Sequence, residues 1–234
     1  MSDHDNLGAE GARPATQLGH PVLGAGALGD DLGSQPVLAS ETVYEGAIFD
    51  VQLDTVDLGE AGGTVEREFL THGGAVVVLA LDEQDRVAMI HQYRHAVGAR
   101  LWELPAGLLD QEGEEPHVAA ARELAEEVDL TAETWHVLAD FYPSAGWMTE
   151  AQRIYLARDL AVVPEEERHE REHEEADLRT GWVSLDDAHA AVLAGRVNNS
   201  GAVIGILAAH AARARGWETL RPVDAPWPEH PAYR

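Results

Sequence analysis

Apolar residues recur with changing periods along this chain. Between Thr42 and Leu70, VYEGAIFDVQLDTVDL and TVEREFL alternate in part, which predicts strands with the Gly62–Gly63 pair as the hairpin turn between them. Ala75–Leu81, AVVVLAL, is apolar without a break and predicts a central buried strand. A charged turn, 82–85, leads into Arg86–Tyr93, expected as the antiparallel partner of that strand. Leu101–Leu104 predicts a short strand ending at Pro105–Gly107. The period then becomes helical. Pro116 suits a first turn, where its missing N–H costs nothing. Val118, Ala121, Leu124, Ala125 and Val128 form the expected apolar face, with carboxylates opposite.

Further strands are expected at Trp135–Phe141, Arg153–Ala157 and Gly181–Ser184, and helices at Asp186–Ala194 and Ala202–Arg215. The loop Tyr142–Met148 and the charge run 164–177 separate the strands. Residues 1–38 are rich in Gly, Ala, Asp and Pro and are expected as a flexible arm; 223–234 read as a tail. Strands with few helices and no βαβ repeat give an α+β class and argue against a Rossmann fold.

Charge narrows the partners. The 234 residues carry 42 acidic and 16 basic groups, net −26, and every basic residue is arginine. Such a surface repels nucleic acid backbones and anionic membranes, so neither is expected as a partner. The absence of cysteine excludes disulfides, thiolate metal sites and cysteine nucleophiles. No apolar run approaches a membrane span, and MSDHDNLGAEGARP is too acidic and polar for a secretory leader, so a cytoplasmic location is expected.

The candidate chemistry lies in Gly107–Leu130. Glu114, Glu115, Glu123, Glu126 and Glu127 gather around Arg122 on one helix and its lead-in loop. Like charges at helical spacing cost about 0.2–0.5 kcal/mol per pair when nothing neutralises them. Glu123 and Glu127 are four apart and stack on one face, with Glu126 beside them. Two readings stand at this point: a solvated acidic face in an acidic protein, or a cradle for a hard cation such as Mg²⁺ or Mn²⁺. The turn Pro105–Gly107 brings a carbonyl, that of Ala106, toward the carboxylates and favours the second.

Read from Glu114, E-x7-R-E-L-x-E-E-x-D-L resembles the Nudix box. There are two departures: six residues instead of five separate Gly107 from Glu114, and Asp129 stands where the family has a glycine. Arg67–Leu109, Tyr142–Ala157 and His173–Leu185 look like the ADP-ribose pyrophosphatase branch of the Nudix hydrolases, especially its actinobacterial members; together the likeness covers about 40–222. It implies the Nudix fold, mixed sheets sandwiched between helices, over 71–222, with an N-terminal strand extension, 39–70, that forms an intertwined homodimer. It implies divalent-metal-dependent cleavage of ADP-ribose to AMP and ribose 5-phosphate. Other nucleoside diphosphate-linked substrates, or a non-catalytic ligand-binding module, are the alternatives.

The resemblance also assigns roles. Glu123, Glu127, Glu126 and the Ala106 carbonyl are implied metal ligands, for Mg²⁺ or Mn²⁺. Glu114 ties the loop to the helix through Arg122, which belongs to the catalytic cluster with Glu126. Glu150, in the loop after the box, is the implied general base. Arg67 and Arg94 fall where the family places arginines near the substrate; a salt bridge to one of the many carboxylates is the alternative for each. Glu103 is expected at a ribose or at another side chain, and Phe49 against the adenine. His72, His91, His95, His117 and His136 show no mutual metal spacing, and His169 and His173, four apart, fall in the acidic charge run, so all are expected at the surface; Ser144 lacks a nucleophile-elbow context.

Overall fold

The computed structural model describes residues 20–171 and 178–233. Residues 1–19 of the expected arm, and His173 with most of the charge run's end, lie outside the described residues. Residues 20–34 are exposed, with one 3-10 turn at Ala25–Ala27. Gln35–Arg234 forms one compact unit, and it already includes Val37 and Leu38.

A five-stranded mixed sheet holds the centre, built from β4 (Ala75–Ala80), β7 (Ala106–Leu108), β8 (Leu130–Phe141), β9 (Gln152–Val162) and β11 (Arg221–Pro222). Its order is β11-β8-β9-β4-β7. β4 lies parallel to β9 and antiparallel to β7. The unbroken apolar run of β4 has its cause in two cores. Val77, Leu79 and Leu81 face one side and pack with Ile206 and Ala209 of helix α4 (Ser200–Arg213). Val76, Val78 and Ala80 face the other and pack with Ala120 and Leu124 of helix α2 (Pro116–Val128). A strand covered on both faces is apolar throughout. The sandwich of mixed sheet between helices is as expected.

Two three-stranded sheets complete the fold. One has order β1-β2-β3, from Val37–Glu45, Asp50–Asp57 and Thr64–Thr71. The Gly62–Gly63 turn sits where expected, after one helical turn, α1 (Gly59–Gly62). The other pairs β5 (Arg86–Arg94) with β10 (Arg179–Ser184) and β6 (Ala99–Glu103). β5 is therefore not the ladder partner of β4. After the Asp82–Asp85 turn only the single bridge Leu81–Val87 forms, and β5 leaves for another sheet. Helix α3 (Leu185–Leu193) follows β10 and is capped by the Ser184 hydroxyl, which accepts the Asp187 N–H.

Two further expectations need correction. Gly107 lies inside a strand, β7, rather than in a turn after one. The buried face of α2 is Pro116, Ala119, Ala120, Glu123, Leu124 and Glu127, while Val118 and Ala121 are exposed. The helix turns two carboxylates inward, which a rule that assigns every acid to water does not foresee. The proline-containing end also packs firmly, with Trp227 and His230 buried. Among the described residues, no helix is long and apolar enough to cross a membrane.

Candidate active site

The carboxylate cluster is built where α2 lies on β7. Pro116 occupies the first helical position, as its fixed φ favours. The helix stops at Asp129, which takes the left-handed conformation (φ 55°, ψ 39°) and donates its N–H to the Ala125 carbonyl. Asp tolerates that conformation better than most residues. Arg171 supports it, approaching the Asp129 carboxylate to 2.8 Å and donating Nε to the Glu126 carbonyl. The aspartate in the glycine position thus keeps the helix end intact.

From this helix, Glu127 Oε2 accepts the Ala106 N–H at 2.9 Å. Glu123 lies across Gly107 so closely that a Cβ there would stand 2.0 Å from its carboxyl carbon. The box glycine is required by this approach and not by its backbone angles. Glu123 and Glu127 are only 8% and 3% exposed, so both readings of the acidic helix meet a clear outcome: these two carboxylates are not a solvated face.

Arg122 braces the cluster. Its Nε and Nη2 form a fork on Glu114, both at 3.1 Å, while Nη1 reaches Glu123 at 2.6 Å and Glu126 at 3.2 Å. The Glu114 hydrogen bonds, more than the Glu123 charge, raise the guanidinium pKa further above its ordinary value. The extra loop residue is taken up before Glu114 in a turn, Glu114 N–H to Gln111 carbonyl, with Gly113 at φ 79°. β7 keeps its register on β4, Ala106 opposite Val77, so the insertion leaves Ala106 in place.

Glu150 precedes β9 at the end of the sheet where β4 begins and β7 finishes. Gln152 Nε2 donates to its Oε1 at 2.7 Å, and His72 Nδ1 stands 3.9 Å from the same oxygen. The structure thus brings together Ala106, Arg122, Glu123, Glu126 and Glu127, with Glu150 on the same sheet end. Arg94 and Glu103 hold each other through a fork at 3.0 and 2.8 Å, with Glu103 buried. Arg67, on β3, donates to the Glu66 carbonyl, and Phe49 is exposed between β1 and β2. No described contact joins Arg67 or Phe49 to the cluster.

The donor set fits a hard divalent cation. The side chains offer oxygen only, and three carboxylates converge on the Arg122 guanidinium. Among the described residues no three acidic or histidine groups stand close enough to grip an ion without rearranging. Arg122 bridges Glu123 and Glu126 instead.

Sequence reasoning passed over several neighbours. A cleft of about 480 Å³ beside the box loop is lined by His72, Gly73, Gln111, Glu114, His230 and Tyr233, among others. His230 Nε2 donates to the Gly73 carbonyl at 2.7 Å. Behind it, buried Arg153 forks onto Asp140 and donates to the Ala225 and Pro226 carbonyls, anchoring the chain end. The Gly73–Gly74 pair beside His72 was the available signal. Gly74 has φ 89°, and a Cβ on it would come within 2.3 Å of the His230 ring.

Comparison with known proteins gives the family. The profile of a family described as NUDIX domain matches residues 71–202. The ADP-ribose pyrophosphatase of Mycobacterium tuberculosis is 47% identical over 194 residues, 83% of this chain and 91% of that protein. The ADP-ribose pyrophosphatase of Bacillus subtilis is 35% identical over 154 residues, 66% of this chain and 80% of that protein. A solved structure described as an ADP compounds hydrolase superposes with a TM-score of 0.64 at 21% identity, covering 80% of this chain and 99% of that one, which speaks for the fold. With a matching profile over more than half of its length and a relative at 47% identity, the chain belongs to the Nudix family.

Proposed function

We propose that this protein is a divalent-metal-dependent hydrolase that cleaves ADP-ribose to AMP and ribose 5-phosphate. The observation that carries the reading is the pair of buried carboxylates, Glu123 and Glu127, packed against the main chain of Gly107 and Ala106. Burying two carboxylates side by side is costly unless cations compensate them. The names of the relatives at 47% and 35% identity supply the substrate.

Glu123, Glu126 and Glu127, with the Ala106 carbonyl, are the residues that would hold the metal, Mg²⁺ or Mn²⁺. When bound, it neutralises phosphate charge and acidifies water. Glu150 accepts the proton of the attacking water. The water oxygen forms a bond to one phosphorus, the bond from that phosphorus to the bridging oxygen breaks, and the bridging oxygen leaves with the other phosphate. Arg122 holds Glu114, Glu123 and Glu126 in place. Arg67 and Arg94 steer the anionic substrate, Glu103 orients Arg94 or a ribose hydroxyl, and Phe49 stacks on adenine. Exposed Val37, Leu38, Val43 and Tyr44 on edge strand β1, with Ile48 and Phe49, support a homodimer through this sheet. The cysteine-free, acidic composition is in keeping with a cytoplasmic protein without nucleic acid or membrane partners.

The test is product identification from ADP-ribose, nucleotide sugars, NADH and diadenosine polyphosphates, with and without Mg²⁺. AMP and ribose 5-phosphate are expected from ADP-ribose only with metal. No metal-dependent pyrophosphate cleavage on any substrate would overturn the reading. Sedimentation of the parent protein checks the dimer.

A further inference from the structure

The loop that carries Glu150 is laced to the end of β3. The Leu70 N–H donates to the Trp147 carbonyl, and the Thr149 N–H donates to the Leu70 carbonyl, both at 2.9 Å. The Thr149 hydroxyl continues this ladder with its side chain. It accepts the His72 N–H at 2.9 Å and lies 3.4 Å from the His72 carbonyl, to which it donates. One residue later, the Glu150 carboxylate is held by Gln152 Nε2 at 2.7 Å and faces His72 Nδ1 at 3.9 Å. The side chains of His72 and Glu150 are only 11% and 12% exposed. His72 is itself fixed: its Nδ1 accepts the Gly74 N–H at 3.1 Å, and His230 clamps the Gly73 carbonyl.

The geometry points to Thr149 as a positioning residue for Glu150. Its hydroxyl locks the loop to the His72 backbone, so that the carboxylate has one place to stand, between Gln152 and the His72 ring. The inference rests on Glu150 as the base of the proposed reaction. A threonine is needed because a hydroxyl can accept from one group and donate to another, which the isosteric valine cannot do. Released from this lock, the loop lets Glu150 drift, and a misplacement of about 1 Å in a reacting group lowers rate about a hundredfold. Binding of substrate, which relies on other residues, is left almost unchanged.

The test measures kcat and KM for ADP-ribose at saturating Mg²⁺, with thermal unfolding of each variant. Thr149→Val is expected to lower kcat about tenfold to a hundredfold with KM within about threefold. Thr149→Ser, which keeps the hydroxyl, should restore kcat. Added to Glu150→Gln, Thr149→Val should cost nothing further. Independent, multiplying losses in the double variant, or a serine variant as poor as valine, would overturn the positioning role. Should Thr149→Val fail to fold, Gln152→Leu removes only the direct bond to Glu150 and carries the same kcat-only, non-multiplying expectation. Near-normal turnover of Glu150→Gln alone would overturn the base assignment first and this inference with it, a result distinct from multiplying losses.

Discussion

Replacing Gly107 with alanine tests the carboxylate cradle with a single methyl group. The added Cβ would stand 2.0 Å from Cδ and Oε1 of Glu123 and 2.5 Å from its Cγ. Ordinary contact begins at 3.4 Å, so the carboxylate must retreat by about 1.4 Å, the difference of the two distances, or β7 must move off α2. A displacement of that order in a group that orders the reactants costs on the order of a hundredfold in rate, about 2.7 kcal/mol. The fold has little reason to fail, because β7 is a three-residue edge strand. The expected result is a fall of about a hundredfold in kcat/KM for ADP-ribose and a higher Mg²⁺ midpoint, with the circular dichroism spectrum of the parent. The assay is AMP release across a Mg²⁺ titration. A folded variant with turnover within about threefold of the parent would show that Glu123 needs no fixed place over Gly107, and the metal assignment would fall with it.

Arg122→Lys keeps the charge but loses the fork on Glu114, so urea unfolding should show a loss of about 1–2 kcal/mol; an unchanged midpoint would mean that the loop is tied elsewhere. Asp82 accepts N–H bonds from Arg86 and Gln84 and the Arg86 guanidinium. Burial acts to raise its pKa, but these bonds outweigh it and hold the carboxyl below its ordinary value. Its stabilising contribution is therefore present above the unfolded-state pKa and is lost as pH falls through the lower folded value. Asp82→Asn should flatten the acid limb of a stability-versus-pH curve below about pH 4, and an unaltered limb would contradict this. Trp227 lies over the Arg153 guanidinium at 4.7 Å and stacks on Tyr233. Trp227→Ala should cost about 3–5 kcal/mol in urea unfolding; a loss under about 1 kcal/mol would show that the chain end is not an integral part of the core.

Strong local signals were legible before any coordinates. The unbroken run of β4, the start of α2 at Pro116 and the Gly62–Gly63 turn each follow from one residue's geometry or one period. The box spacing was legible too, since Glu123 and Glu127 share a helix face whatever the tertiary fold. The partner of β5 was not, because β10 lies some ninety residues further on and alternation names no partner. β7 has three residues, too few for a period, and resembled the end of a turn. The inward direction of the two glutamates escaped a hydrophobic-face argument, because only packing against Gly107 and Ala106 makes burial of a carboxylate tolerable. His72, expected at the surface, has a side chain only 11% exposed, and Thr149 and His230 carry no pattern of their own; the contacts of all three are with main chain, which any residue order can conceal.

The alternation of β4 has a consequence for how substitutions combine. Adjacent residues on this strand belong to different cores, so Val76 and Val77 answer to different helices, α2 and α4. Their effects on stability should be close to independent, while Val76 with Leu124, or Val77 with Ile206, should couple despite long separations in the chain. Parity along the strand thus divides the interior into two compartments of unequal risk. Odd-numbered positions pack beneath α4, which carries none of the clustered carboxylates. Even-numbered ones lie beneath α2, the helix that carries the carboxylates, and there the same methyl group gained or lost is expected to change turnover as well as stability.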